Sequence, residues 1–198
     1  MKSENIYIVW AHPRTDSLTA RVVEEIQGEA AAQGMRSTTL DLYRRGFNPV
    51  LETADEPDWK NPDKHYSEQV QQLFGELQDK DTLVVVFPVW WYSFPAMIKG
   101  WIDRVLNYGL AYGGGRKIPV SRIRWVALVG GSGDKFAANG WEENLSHYLN
   151  TMVRYIGVED SAVTFLYNTI GVEEGIDNRQ QHYDALFSQA RGMVKGLR

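Results

Sequence analysis

Apolar positions along the chain switch between two periods, and each switch marks a change of element. Asn5 to Trp10 (NIYIVW) is a short, mostly apolar run and predicts a first strand. Leu18, Val22, Val23, Ile26 and Ala30 then mark one face of a helix, with Gly34 at its end. Arg36 to Leu42 alternates and is β-branched, which predicts a second strand. Val70, Leu73, Phe74 and Leu77 give a second helix. Leu83 to Phe87 is an unbroken apolar run, the signature of a strand covered on both faces. Pro88 stops it, because proline has no N–H for a sheet ladder. Met97, Ile98, Trp101, Ile102, Val105 and Leu106 return to helical spacing. Trp125 to Val129 predicts a fourth strand, and Leu145, Tyr148, Leu149, Met152 and Ile156 a helix closed near Gly157. Ser161 to Tyr167 predicts a fifth strand, and Tyr183, Leu186, Phe187, Ala190 and Val194 a last helix.

Strand and helix thus alternate about five times, without repeats or an interdomain linker. That pattern predicts one α/β domain over residues 1–198, a doubly wound parallel sheet with helices on both faces. The five-stranded version is a flavodoxin-like three-layer sandwich of order 2-1-3-4-5, with its ligand crevice between the first and third strands. Two segments stand outside the alternation. Tyr43 to Lys64, with Pro49, Pro57 and Pro62, is too long for a simple connection, so it reads as a surface excursion or a functional loop. Tyr108 to Ser121 is Gly-rich. Its Gly113-Gly114-Gly115 run reads as a hinge or lid, with Arg116 and Lys117 beside it to attract an anion.

Composition narrows the function. The net charge of −4 argues against nucleic acid as a partner. There is no cysteine, which removes disulfides, thiolate catalysis and cysteine metal sites, and fits a reducing compartment. The first strand starts by Asn5, leaving no room for a signal peptide, and no apolar run approaches the roughly 20 residues of a membrane span. A cytoplasmic location is expected. His12, His65, His147 and His182 lack metal-ligand spacing, so no metal site is expected. The 7 Trp make a ring-stacking site plausible.

Three loops follow strands one, three and four, and this topology opens them on one edge. Ala11 to Thr19 leads into a helix N-terminus, whose free N–H groups suit a phosphate. His12, Ser17 and Thr19 are placed to add hydrogen bonds there and Arg14 to add charge; the competing reading is an ordinary N-cap at Asp16 or Ser17 with a structural histidine. The loop is neither a G-x-G-x-x-G nor a G-x-x-x-x-G-K-[ST] motif, which disfavours a Rossmann dehydrogenase or a nucleotide triphosphatase. Pro88 to Phe94 holds four rings, either a hydrophobic corner of the core or a cradle for a flat heterocycle. Gly130-Gly131-Ser132-Gly133 either ends a strand or lets backbone approach a ligand. Phosphate, rings and glycine backbone in that order describe a flavin.

At these residues the chain resembles the flavodoxin-fold NAD(P)H:quinone oxidoreductases, a family that includes mammalian quinone reductase and the bacterial flavoproteins associated with potassium-efflux systems. The match spans Ala11-His12 with Ser17-Leu18-Thr19, Asp41-Leu42-Tyr43 with Phe47-Asn48-Pro49, Phe87 to Tyr92, Pro95 to Val105, and Gly130 to Gly133. The resemblance implies that His12, Ser17, Leu18 and Thr19 hold the phosphate and ribityl end of the flavin. It implies that Pro88, Val89, Trp90, Trp91 and Tyr92 cradle its ring, and that Gly130 and Gly131 meet its pyrimidine edge. FMN is the expected cofactor, with FAD as the alternative and NAD(P)H as co-substrate. A homodimer is implied, with Tyr112 lining the substrate pocket; Tyr108 and Tyr112 are the candidate catalytic residues and Phe136 a substrate contact. Phe136 stands where the mammalian pattern has a tyrosine, and no histidine follows until His147, which argues against a Tyr–His proton relay.

The activity so implied is ping-pong. NAD(P)H delivers a hydride to the flavin and leaves, and a quinone or similar electrophile takes its place and receives two electrons. Two other readings compete with it. A one-electron, flavodoxin-like carrier would usually be more acidic than −4. A regulatory flavoprotein would bind a membrane transporter, and would be membrane-associated only through that partner.

Overall fold

The computed structural model describes residues 4–173 and 175–197. Its main sheet is parallel and five-stranded: β1 (Asn5–Trp10), β2 (Arg36–Asp41), β3 (Thr82–Pro88), β6 (Arg122–Leu128) and β7 (Asp160–Leu166). The spatial order is β2-β1-β3-β6-β7, the expected 2-1-3-4-5 once a small hairpin, β4 (Tyr112–Gly113) and β5 (Arg116–Lys117), is set aside. Register runs straight across the centre: Val9 lies beside Val85, Val85 beside Trp125 and Trp125 beside Val163.

Alternate side chains of each strand serve two separate cores. Ile6, Ile8, Val84, Val86, Val126 and Leu128 pack under α1 (Leu18–Ala32) and α6 (Arg179–Lys195). Tyr7, Val9, Val85, Phe87, Trp125 and Ala127 face the other way, toward α2 (Glu68–Gly75), α3 (Ala96–Val105) and α5 (Trp141–Tyr155). Burial on both faces explains why Leu83 to Phe87 in β3 is apolar at every position rather than at every second one.

Three features go beyond the apolar pattern. A six-residue helix, α4 (Gly133–Ala138), starts directly at the glycine turn, capped by Ser132 Oγ, which accepts from the Lys135 N–H. The Gly113–Gly115 run is a tight hairpin turn rather than an open hinge. A Cβ on Gly113 would stand 2.1 Å from the Tyr108 ring, and one on Gly114 2.5 Å from Pro62. The Arg116 guanidinium, read as an anion attractor, is already engaged by the Pro62 and Gly109 carbonyls and by Asp63.

The long excursion is a surface segment with a buried anchor. Asp55, in a single 3-10 turn, is 1% exposed and paired to Arg104 of α3 at 2.7 Å. The Asp55 carboxylate also accepts from the Ser67 N–H and hydroxyl, and Asn107 donates to the Asp55 carbonyl. The rest of the Arg104 fork goes to the Asn48 carbonyl and to Gln69. Hydrogen bonds of this kind are what allow an ion pair to sit out of water.

Candidate functional site

The loop after β1 delivers an open helix N-terminus. Ser17 Oγ caps α1 by accepting from the Ala20 N–H at 3.1 Å and keeps its own O–H free to donate. The Leu18 and Thr19 N–H groups donate to no acceptor among the described residues. Ser17 and Thr19 are buried, whereas Arg14 is exposed and turned toward Asp16. His12 Nδ1 lies 3.1 Å from the Arg14 N–H and 3.3 Å from the Arg14 carbonyl, so the Arg14 backbone holds this side of the ring in either tautomer. Burial lowers the His12 pKa below its ordinary 6.5, helped by the charges of Arg14 and Arg44. The loop is braced by Arg44, which donates to the His12 and Pro13 carbonyls while pairing with Asp41 at 2.7 Å.

The loop after β3 is a two-residue hairpin turn. The Trp90 N–H donates to the Ser93 carbonyl and the Ser93 N–H to the Trp90 carbonyl, both at 3.1 Å. Between them Trp91 and Tyr92 have φ of +50° and +59°. Turns of this handedness favour Asn-Gly, and two bulky residues there are strained. The turn leaves Trp91 95% exposed and the Trp91 and Tyr92 N–H groups without an acceptor among the described residues. The His12 ring lies 6.0 Å from that of Trp90, so the first and second loops meet. Pro88 ends β3, and the Val89 N–H is used by the Leu128 carbonyl.

The loop after β6 passes through Gly130 and Gly131, whose N–H groups also lack an acceptor among the described residues. A Cβ on Gly130 would touch Ile170 at 3.3 Å. Between this loop and the Trp91–Tyr92 turn is a cavity of about 450 Å³. Val89, Trp91, Tyr92, Gly130, Gly131 and Phe136 line it. Phe136 is buried, packed among Phe165, Tyr167 and Tyr92, and reaches the cavity as a wall with no proton to give.

Tyr108 and Tyr112 lie elsewhere. They cluster with Trp59, and Tyr112 also with Tyr155 at the C-terminal end of α5. The cavity takes Trp141 at the opposite end of that helix, about 21 Å away at the helical rise. One chain therefore assembles the three loops but not the two tyrosines. Burial and the neighbouring phenols raise the Tyr112 pKa, so its hydroxyl stays protonated near neutral pH.

Arg44, Lys135, Trp141 and the Tyr167–Glu142 hydrogen bond were not singled out from the sequence. Trp141 had a signal: it follows Asn139-Gly140, a turn dipeptide ahead of a helix.

A polar-edged flat ring fits what is present, since four free N–H groups border an aromatic cavity beside an open helix N-terminus. Similar proteins carry related descriptions. A protein of Escherichia coli (strain K12) named "Uncharacterized NAD(P)H oxidoreductase YcaK" is 57% identical over 197 residues, all of both chains. An FMN-dependent NADH:quinone oxidoreductase of Beijerinckia indica is 31% identical over 101 residues, 49% of this chain and 50% of that protein. The solved NAD(P)H:quinone oxidoreductase from Methanothermobacter marburgensis superposes with a TM-score of 0.87 at 24% identity, covering 99% of this chain and 98% of that one. The family model described as a flavodoxin-like fold matches residues 4–189, and the chain belongs to that family.

Proposed function

We propose that this chain is a flavin-dependent NAD(P)H oxidoreductase that reduces quinones or related electrophiles two electrons at a time. The observation that carries the reading is the strained Trp91–Tyr92 turn facing Gly130 and Gly131, with all four N–H groups free of acceptors among the described residues. A fold meets such a cost where the geometry is used. FMN is favoured over FAD, in keeping with the FMN-dependent relative from Beijerinckia.

When bound, the flavin supplies reversible hydride chemistry. The chain's own groups hold and orient. His12, the Ser17 hydroxyl and the Leu18 and Thr19 N–H groups would take the phosphate and ribityl end. Pro88, Val89, Trp90, Trp91 and Tyr92 carry the ring. The Gly130 and Gly131 N–H groups would meet its pyrimidine edge and offer donors to negative charge there. Holding the donor and acceptor about 3–3.5 Å apart is most of the remaining work.

Tyr108 and Tyr112 enter this scheme through a second copy of the chain. Their separation from the cradle along α5 supports a homodimer in which each chain's tyrosines close the other's site. The whole chain acts as one domain, and its lack of cysteine supports a cytoplasmic location. No helix among the described residues is long and apolar enough to cross a membrane.

The test is the visible spectrum of the purified protein, identification of the released chromophore, and anaerobic addition of NADPH followed by a quinone. A flavin band that bleaches with NADPH and returns with quinone supports the reading. Colourless protein that refuses added FMN would overturn it.

A further inference from the structure

The cavity beside the Trp91–Tyr92 turn has a second character besides free N–H groups: a ring platform with a single charge at its rim. Tyr92 stacks on Trp141 with centroids 4.1 Å apart and planes 16° from parallel. Both rings remain substantially exposed, so the stack offers apolar surface to the cavity instead of filling it. The platform is fixed from behind. Gly140, with φ of +75°, turns the chain into α5 so that Trp141 is its first residue. The next residue, Glu142, accepts a short hydrogen bond from the Tyr167 hydroxyl just past β7.

Among the described residues lining this cavity Lys135 is the only charged one, and it forms no ion pair with another described residue. Nearby acids do not cancel it within the cavity. Asp134 and Glu143 are not part of the lining, and Glu142 is taken by Tyr167. Ser132 and Asn139 add polar groups beside the lysine. Lys135 is exposed, so its attraction for an anion is that of a surface charge and weakens as salt is added.

Resting on the reductase reading, we infer that the acceptor is a flat aromatic molecule bearing an anionic group. Its rings lie on the Trp141 side of the Tyr92–Trp141 pair, beside the flavin that the Trp91–Tyr92 turn carries, and its charge lies against Lys135. Sulfonated and carboxylated quinones have that chemistry. A neutral quinone of the same size uses the platform alone.

The experiment measures binding of 1,4-naphthoquinone-2-sulfonate and of neutral 2-methyl-1,4-naphthoquinone to the oxidised, flavin-loaded protein by quenching of tryptophan fluorescence. The expected result is a preference for the sulfonate of about fivefold at low salt, the scale of one partly exposed ion pair, shrinking as salt rises. Lys135→Met abolishes the preference, while Lys195→Met on α6 leaves it in place. Trp141→Ala weakens both ligands, and Trp141→Phe restores most of the loss. Equal affinities in the parent protein, or a preference that survives Lys135→Met, would overturn the inference. Lys135-dependent sulfonate binding without any quinone turnover would instead sink the reductase reading and, with it, the molecule's role as acceptor, leaving an anionic aromatic binding site.

Discussion

The Trp90–Ser93 turn and the Asp55–Arg104 anchor both carry costs that a plain α/β sheet avoids, and they carry them in opposite ways. The turn holds two bulky residues at positive φ, on the surface, with rings and N–H groups left open. The anchor takes two charges out of water and surrounds them with hydrogen bonds until the carboxylate and guanidinium are occupied. Open, unsatisfied strain is what a binding site needs. Closed, satisfied charge is what a fixed loop needs.

The largest expected effect comes from breaking the anchor on one side. Arg104→Met leaves the Asp55 carboxylate buried without its cation, and should cost about 3–5 kcal/mol in denaturant unfolding. Arg104→Met combined with Asp55→Leu should cost less than that single change, because no charge remains buried. A double variant worse than the single would show that the segment is not held by this pair. The anchor also has a pH signature. Burial alone would raise the Asp55 pKa, but the Ser67 N–H and hydroxyl and the Arg104 guanidinium outweigh it and hold the carboxyl below its ordinary 3.8. A carboxyl depressed in the folded state stabilises above its unfolded value. That contribution fades as pH falls through the lower folded value. Asp55→Asn should therefore flatten the acid limb of the stability curve below about pH 4, with little change in its shape above.

The turn should respond the other way. Replacing Trp91-Tyr92 by Asn-Gly supplies residues suited to positive φ at both positions. Relief of strain should stabilise the fold by about 1–3 kcal/mol. Flavin retention should fall at the same time, since the ring surface is removed. A variant that is both more stable and fully loaded with flavin would show that the rings of this turn do not hold the cofactor.

The two regions also differ in how far the sequence revealed them. Strand order was readable because Leu83 to Phe87 of β3 is an unbroken apolar run and the helical stripes on either side of it are regular. The aromatic turn was conspicuous by composition, yet its handedness was not: no Gly or Asn marks it, because the conformation is imposed by the chain around it. The anchor was invisible. Asp55 and Arg104 are 49 residues apart, and each resembles an ordinary surface charge until the excursion folds onto α3. Tyr108 and Tyr112 show the remaining limit. Sequence proximity to the cradle segment concealed that the topology carries them to the far end of α5.

A smaller effect is expected at the helix N-terminus that joins the turn in the site. Ser17 is buried and caps α1, so Ser17→Ala should cost about 1 kcal/mol in thermal or denaturant unfolding. It should also weaken FMN binding by removing a hydroxyl donor. Ser17→Thr keeps the cap and the donor and should recover most of both. If Ser17→Ala unfolds earlier but binds FMN unchanged, this hydroxyl only caps the helix.

The smallest effect should come from Arg44, which sharpens the comparison because it repeats the Arg104 arrangement in the open. Its guanidinium also combines a carboxylate, Asp41, with backbone carbonyls, those of His12 and Pro13. Here the arginine side chain is 37% exposed, against 6% for Arg104. Water already solvates the charges, so Arg44→Met should cost less than about 1 kcal/mol of stability. Its consequence belongs to the site, because the carbonyls it holds are those of the loop proposed to take the flavin's phosphate. FMN dissociation should speed up several-fold while the unfolding midpoint barely moves. An equal loss of stability at Arg44 and Arg104 would mean that burial is not what separates the two arginines.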